Sequence, residues 1–212
     1  MTLSQNEQKK ILAVKAANFV EPGMLLGLGT GSTVDILIST LGEKFGDLKN
    51  LEIVPTSLDS ADKASKLGVK ILEPKSDLSP DLLIDGADEV AADLSMIKGG
   101  GGALLWEKIV AHNSKRRIYM ADSTKLVREL GHFLLPVEVI SFGHEWTYIA
   151  LKKIFSAVTI RKTAEDEIFK TNSGNVIFDC QKRAPMPNHS YATDNDFTFS
   201  TKFSIKFRIL FS

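Results

Sequence analysis

The chain is poor in most features that would tie it to a special environment. One cysteine, Cys180, stands among 212 residues, so an internal disulfide is impossible and a cysteine-based zinc site is excluded. A buried bystander thiol is the reading that remains. The four histidines, His112, His132, His144 and His189, are scattered. None forms a pair at helical spacing, so no metal and no metal chemistry is expected. Charge of either sign is not in excess, with 26 Lys plus Arg against 26 Asp plus Glu. A chain without surplus positive charge lacks the general attraction on which nucleic-acid binding rests, so no nucleic-acid partner is expected and any anion site must be local. No apolar stretch reaches the ~18 residues of a membrane span, and the opening MTLSQNEQKK carries no run of the signal-peptide kind. No membrane partner and a cytoplasmic location are therefore expected.

What is present describes a folded protein. Apolar residues make up 43% and charged residues 25%, far from the low-hydrophobicity signature of disorder. The length suits one large domain, or a main domain with a smaller companion. Ser4 with Glu7 fits a capping box, and Leu12, Ala16 and Phe19 recur at helical spacing until Glu21-Pro22-Gly23 breaks the pattern. Met24 to Gly29 then reads as a strand, and Val34, Leu37, Ile38 and Leu41 mark the buried face of a helix. Strands over Leu51 to Pro55, Val69 to Leu72, Leu82 to Ile84 and Arg117 to Ala121 follow, with helices over Asp59 to Leu67 and Ala103 to Asn113. Such alternation predicts an α/β protein: a Rossmann-like, mostly parallel sheet covered on both faces. After about Gly131 the rhythm changes. Strands at Val137 to Ile140, Val158 to Arg161 and Val176 to Cys180, with a helix from Glu145 to Phe155, read as a small α+β second domain. The expected organisation is a catalytic domain over 1–131, a small domain over 132–180, and an unassigned segment over 181–212.

Three segments carry candidate chemistry. Gly27-Leu28-Gly29-Thr30-Gly31-Ser32-Thr33 joins a strand to an amphipathic helix, where freed backbone N–H groups converge and attract an anion. The hydroxyls of Thr30, Ser32 and Thr33 add donors for phosphate oxygens. The alternative is a tight turn that binds nothing. A dinucleotide fingerprint would place a third glycine at position 32, which is serine, so a small phosphate ester fits better than NAD. Asp85-Gly86-Ala87-Asp88-Glu89 begins where the strand Leu82-Leu83-Ile84 ends, the position at which open α/β sheets bind ligands. Asp85 and Asp88 are candidates to hold sugar hydroxyls or move their protons; the alternative is that they cap the next segment and face water. Glu89 is expected to be solvated. Lys98-Gly99-Gly100-Gly101-Gly102 is entropically costly unless the backbone must approach something closely. Lys98 supplies a positive charge there. Glu107 falls at the rim of the buried face of the following helix and is the candidate general base, with an ordinary surface glutamate as the alternative. Burial would raise its pKa whereas Lys98 and the helix start would lower it, which leaves the direction open. Lys125 is placed to reach a phosphate or to be a surface lysine.

Taken in order, GLGTGSTV, PTSLDS, DGADEV, MIKGGGGALLWEK, ADSTK and LPVEV resemble ribose 5-phosphate isomerase of the A type, over roughly residues 5 to 180. The resemblance implies interconversion of D-ribose 5-phosphate and D-ribulose 5-phosphate through an enediolate in the non-oxidative pentose phosphate pathway. It implies no cofactor, a small sugar phosphate as ligand, and a homodimer or higher homo-oligomer. By position, Glu107 matches the family's catalytic base, with Asp85, Asp88 and Lys98 beside it. Its substrate-binding segments fall on Thr30, Gly31, Ser32 and Thr33, on Asp85, Gly86, Ala87 and Asp88, on Lys98, Gly99, Gly100 and Gly101, and on Lys125. A phosphosugar sensor without turnover is the rival reading. From Gln181 onward the sequence departs from the family's helix and returning strand. Phe197 and Phe199, then Phe203, Ile205, Phe207, Ile209 and Phe211, alternate with polar residues, which predicts a strand over about 197–211 after a loop from Gln181 to Asn195.

Overall fold

The computed structural model describes residues 3–46, 48, 51–181 and 208–211. Helix α1 (Gln5–Ala17) opens on the expected capping box: Glu7 N–H donates to Ser4 Oγ and Ser4 N–H donates to Glu7 Oε2. Strand β1 (Leu25–Leu28), helix α2 (Ser32–Phe45), strand β2 (Glu52–Pro55), helix α3 (Leu58–Ser65) and strand β3 (Lys70–Ile71) follow. The chain then returns to the middle of the sheet with β4 (Leu82–Gly86). A hairpin of β5 (Glu89–Val90) and β6 (Met96–Ile97), helix α4 (Leu104–Asn113) and strand β7 (Arg117–Ala121) complete this part. The hairpin was not legible in the sequence because each strand is two residues long.

Side chains alternate across the central strands and so build two cores. Leu82 and Ile84 face α1 and α2 in the larger core, together with Leu12, Ala16, Leu37 and Leu41. Leu83, one residue out of phase, packs on the opposite face with Val54 and with Val110 and Ala111 of α4. A sheet buried on both sides explains why its strands read as continuous apolar runs.

The second part is antiparallel: β8 (Leu135–Val139), helix α5 (His144–Ile154), β9 (Ala157–Ile160) and β10 (Val176–Gln181), in the order β8-β10-β9. Leu151 and Phe155 of the helix region pack on Val176, Phe178 and Cys180. Burial, with Asp179 beside it, pushes the Cys180 thiol up to about 12, as suits an inert core residue.

Residues 208–211 form β11 (Arg208–Phe211), which pairs in parallel with β7, Arg208 opposite Ile118 and Phe211 opposite Ala121. The main sheet is thus six parallel strands in the order β11-β7-β4-β1-β2-β3. The remainder of the strand expected over 197–211 lies outside the described residues. So does the loop expected after Gln181, although Gln181 itself ends β10. Among the described residues, no helix is long and apolar enough to cross a membrane.

Candidate active site

The strand order reverses between β1 and β4, and the crevice beyond their carboxyl ends is the place where such sheets take ligands. Both expected loops open there. Gly31 precedes α2 with φ +106°, a left-handed angle that suits glycine, and the first helical bond is Asp35 N–H to Gly31 O. The N–H groups of Ser32, Thr33 and Val34 precede that bond and are left for an anion at the helix start. Thr30 is turned inward: its hydroxyl lies 2.8 Å from Thr56 Oγ1 and donates to Ser57 Oγ at 2.9 Å. It ties the loop to the PTSLDS segment.

Lys9, which the sequence reading passed over, donates from Nζ to Ser32 Oγ at 2.9 Å. Only the packing of α1 on α2 brings it there, and no local pattern marks it. Lys125 lies in a single 3-10 turn, Ser123–Lys125, docked on the start of α1 through Gln5 to Thr124 and through Ser123 N–H to Gln8. The turn therefore flanks the helix that carries Lys9. No hydrogen bond or ion pair joins Lys125 to the glycine loop.

The carboxylate cluster forms at the end of β4. Asp85 is fully buried, and its Oδ1 accepts from Thr30 N–H at 3.3 Å and Gly86 N–H at 2.7 Å. A Cβ on Gly29 would sit 2.1 Å from that oxygen, so only glycine lets the two strands' ends approach this closely. Asp88 turns to the glycine run and accepts from Gly100 N–H at 2.8 Å. Ala87 is half-buried between the two acids.

Lys98 joins the pieces. Its Nζ donates to Gly86 O at 2.5 Å and lies 2.9 Å from Asp85 Oδ2 and 3.3 Å from Glu107 Oε2, with the Tyr119 ring 5.6 Å away. Burial alone would lower its pKa, but the carboxylates of Asp85 and Glu107 outweigh burial and hold it well above the usual range. Lys98 is therefore a fixed cation.

Glu107 is 5% exposed, deeper than the rim position expected from helical periodicity. Its pKa, whose direction the sequence left open, is pushed up to about 7, first by burial and then by Asp85, against the opposing pull of Lys98. Asp85 Oδ2 and Glu107 Oε2 are buried and face the Lys98 ammonium at 2.9 and 3.3 Å. One ammonium thus serves two buried carboxylates.

One expectation is corrected. Glu89 is 3% exposed rather than solvated, and its carboxylate accepts the N–H groups of Gly131 (2.7 Å) and Phe133. It anchors the loop whose Phe133 ring borders Gly100. The donors lie over forty residues away, beyond any local signal.

Fold and site together define an α/β enzyme with an uncapped helix start and a buried cluster of Lys98, Asp85 and Glu107 at the sheet's switch point. The family model of ribose 5-phosphate isomerase A (phosphoriboisomerase A) matches residues 52–196. Ribose-5-phosphate isomerase A of Parvibaculum lavamentivorans is 45% identical over 184 residues, spanning 84% of this chain and 80% of the relative. Among solved structures, ribose 5-phosphate isomerase from Plasmodium falciparum superposes with a TM-score of 0.81 at 38% identity, over 87% of this chain and 82% of that one. A D-ribose-5-phosphate isomerase in complex with phospho-erythronic acid gives 0.79 at 34% identity, over 85% and 80%. The chain belongs to the ribose 5-phosphate isomerase A family.

Proposed function

We propose that this protein interconverts D-ribose 5-phosphate and D-ribulose 5-phosphate, with Glu107 as the base. The observation that carries the reading is the buried Glu107 carboxylate, raised to about 7, beside a permanently charged Lys98. A base poised near the working pH divides its time between taking and returning a proton, which is what transfer between two carbons requires. In the forward direction Glu107 takes the proton from C2 of the open-chain aldose, electrons move into the carbonyl, and an enediolate forms. Lys98 stabilises the developing oxyanion. The proton passes from Glu107 to C1 while a hydroxyl proton moves from O2 to O1, leaving the ketose. Asp85 and Asp88 hold hydroxyls. The start of α2, Ser32, Thr33, Lys9 and Lys125 hold the phosphate, whose binding energy orients the reacting carbons. The solved relative carrying phospho-erythronic acid supports a phosphorylated ligand.

A sensor without turnover would bind the same phosphate but would have no use for a buried base held beside a fixed cation. The test is an isomerase assay on the purified full-length chain with and without chelator. Turnover unaffected by chelation is expected, with kcat lowered ~10²-fold or more in Glu107→Gln. Binding without turnover, or near-normal kcat in that variant, overturns the reading.

The partner is a second copy of the chain. Ile140, Phe142, Trp146 and Ile149 form an apolar face at the start of α5, with Phe142 89% and Trp146 77% exposed. Their exposed area is on the order of 500 Å², in the upper part of the ~300–600 Å² of the largest patch on a typical monomer and a large part of the ~800 Å² per partner of a stable interface. Light scattering is expected to give at least twice the 23.3 kDa chain mass, and a monomeric mass at micromolar concentration would remove the proposal.

A further inference from the structure

Helix α4 carries the proposed base one turn from its start, yet that start has no cap of its own. The residue before it is Ala103, and no side chain of the helix or its preceding loop accepts the first N–H groups. The acceptor comes from the antiparallel part. Glu138 of β8, the acid of the LPVEV segment, takes the Leu105 N–H on Oε2 at 3.3 Å. Its other oxygen is held twice, by Thr171 Oγ1 at 2.8 Å and by Asn175 Nδ2 at 2.9 Å. Thr171 and Asn175 are themselves joined, with Thr171 N–H donating to Asn175 O. The carboxylate is thus fixed from behind before it meets the helix. A second charged residue of the same part holds the other end of the connection. Arg161, paired with Asp179, donates to Gly99 O at 2.9 Å and Gly100 O at 3.1 Å. Lys98 precedes that loop and Glu107 follows it, so both ends of the segment between cation and base are tied to the antiparallel sheet.

We propose that Glu138 is a positioning residue for proton transfer: from outside the main sheet it fixes the first turn of α4, and with it the place of the Glu107 carboxylate against Lys98. The proposal rests on Glu107 being the base. A shift of the order of an ångström in a reacting group is enough to cost a large factor in rate, and no other described side chain fills the helix start. The Glu138 charge also opposes the positive end of the α4 dipole, which would otherwise favour the Glu107 carboxylate.

The variants are Glu138→Ala, Asn175→Ala and Glu107→Gln in the full chain, with ribose 5-phosphate as substrate and folded protein counted by circular dichroism. In Glu138→Ala, kcat per folded protein is expected to fall roughly fivefold or more, with KM within about twofold because the phosphate loop is untouched. The acid limb of the kcat profile is expected to move to lower pH by a few tenths of a unit. The groups that face Glu107, namely Lys98, Asp85, Asp88 and Tyr119, all remain in that variant. Asn175→Ala, which frees the carboxylate without removing it, is expected to lower kcat less, and it decides the matter if Glu138→Ala does not fold. Unchanged kcat, or a loss of activity that only tracks the loss of folded protein with the acid limb in place, overturns the proposal. Glu107→Gln separates the two readings. If it abolishes turnover while the Glu138 and Asn175 variants behave as wild type, only the positioning role falls; if Glu107→Gln turns over normally, the base assignment falls.

Discussion

A carboxylate that protonates near 7 in the folded chain and near 4.5 when unfolded makes stability depend on pH in a definite direction. Between those values the native state binds more protons than the unfolded one, so stability falls as pH rises. The contribution is full below about 4.5 and is lost as pH passes through 7. At ~1.4 kcal/mol per pKa unit, the effect amounts to a few kcal/mol. Glu107→Gln removes the titrating group, so its melting temperature is expected to vary less between pH 4.5 and 7.5 than that of the wild type. Parallel melting curves across this range, followed by circular dichroism, would contradict the raised pKa. Glu107 was legible as a candidate because it follows a lysine and four glycines at the start of a helix. Its depth was not, since Asp85 and Lys98 close over it from a strand end and a loop. Lys9 and Glu89 lay further out of reach, because each meets its partners only after distant elements pack.

At the scale of elements, the parallel strands and their helices were readable from apolar runs and from the cap at Ser4, whereas the cap at Ser57 emerged with the structure. The start of α4 was read to within one residue, but its cap was not, because the cap is supplied from a strand thirty-three residues on. The glycine run is explained position by position. A Cβ on Gly100 would lie 2.5 Å from Asp88 Oδ1 and 3.1 Å from the Phe133 ring, whereas one on Gly101 would meet nothing nearer than Thr30 Cγ2 at 3.8 Å. Gly100→Ala must therefore displace the Asp88 carboxylate and break its bond from the Gly100 N–H. A cost of ~1–3 kcal/mol corresponds to a melting temperature lower by roughly 3–10 °C at this chain length. Gly101→Ala is expected to melt within about a degree of wild type. Equal melting temperatures for the two variants in a calorimetric scan would show that the contact does not constrain the loop.

At the scale of the whole molecule, the alternation after residue 197 anticipated a strand paired within the fold, and the four described residues of β11 pair at the edge of the sheet against β7. What the sequence could not state was its neighbour, because a parallel partner ninety residues earlier leaves no local trace. The consequence is specific. Ile118, Tyr119, Met120 and Ala121 of β7 are all buried, and the same strand brings the Tyr119 ring to 5.6 Å from Lys98 Nζ. Without β11 it would present a bare row of backbone donors and acceptors, a template for pairing with another chain. Deleting residues 208–212 removes a short ladder whose hydrogen bonds contribute ~0.5–1.5 kcal/mol each, so the melting temperature is expected to fall by roughly 5 °C or more, with aggregation on heating. In the intact chain, whichever of the neighbouring amides of Ile209 and Leu210 points to β7 is expected to exchange with solvent far more slowly than an unstructured peptide, while the other faces outward from the edge of the sheet. Exchange at the free-peptide rate, together with an unchanged melting temperature in the truncated chain, would mean that β7 is the true edge of the sheet.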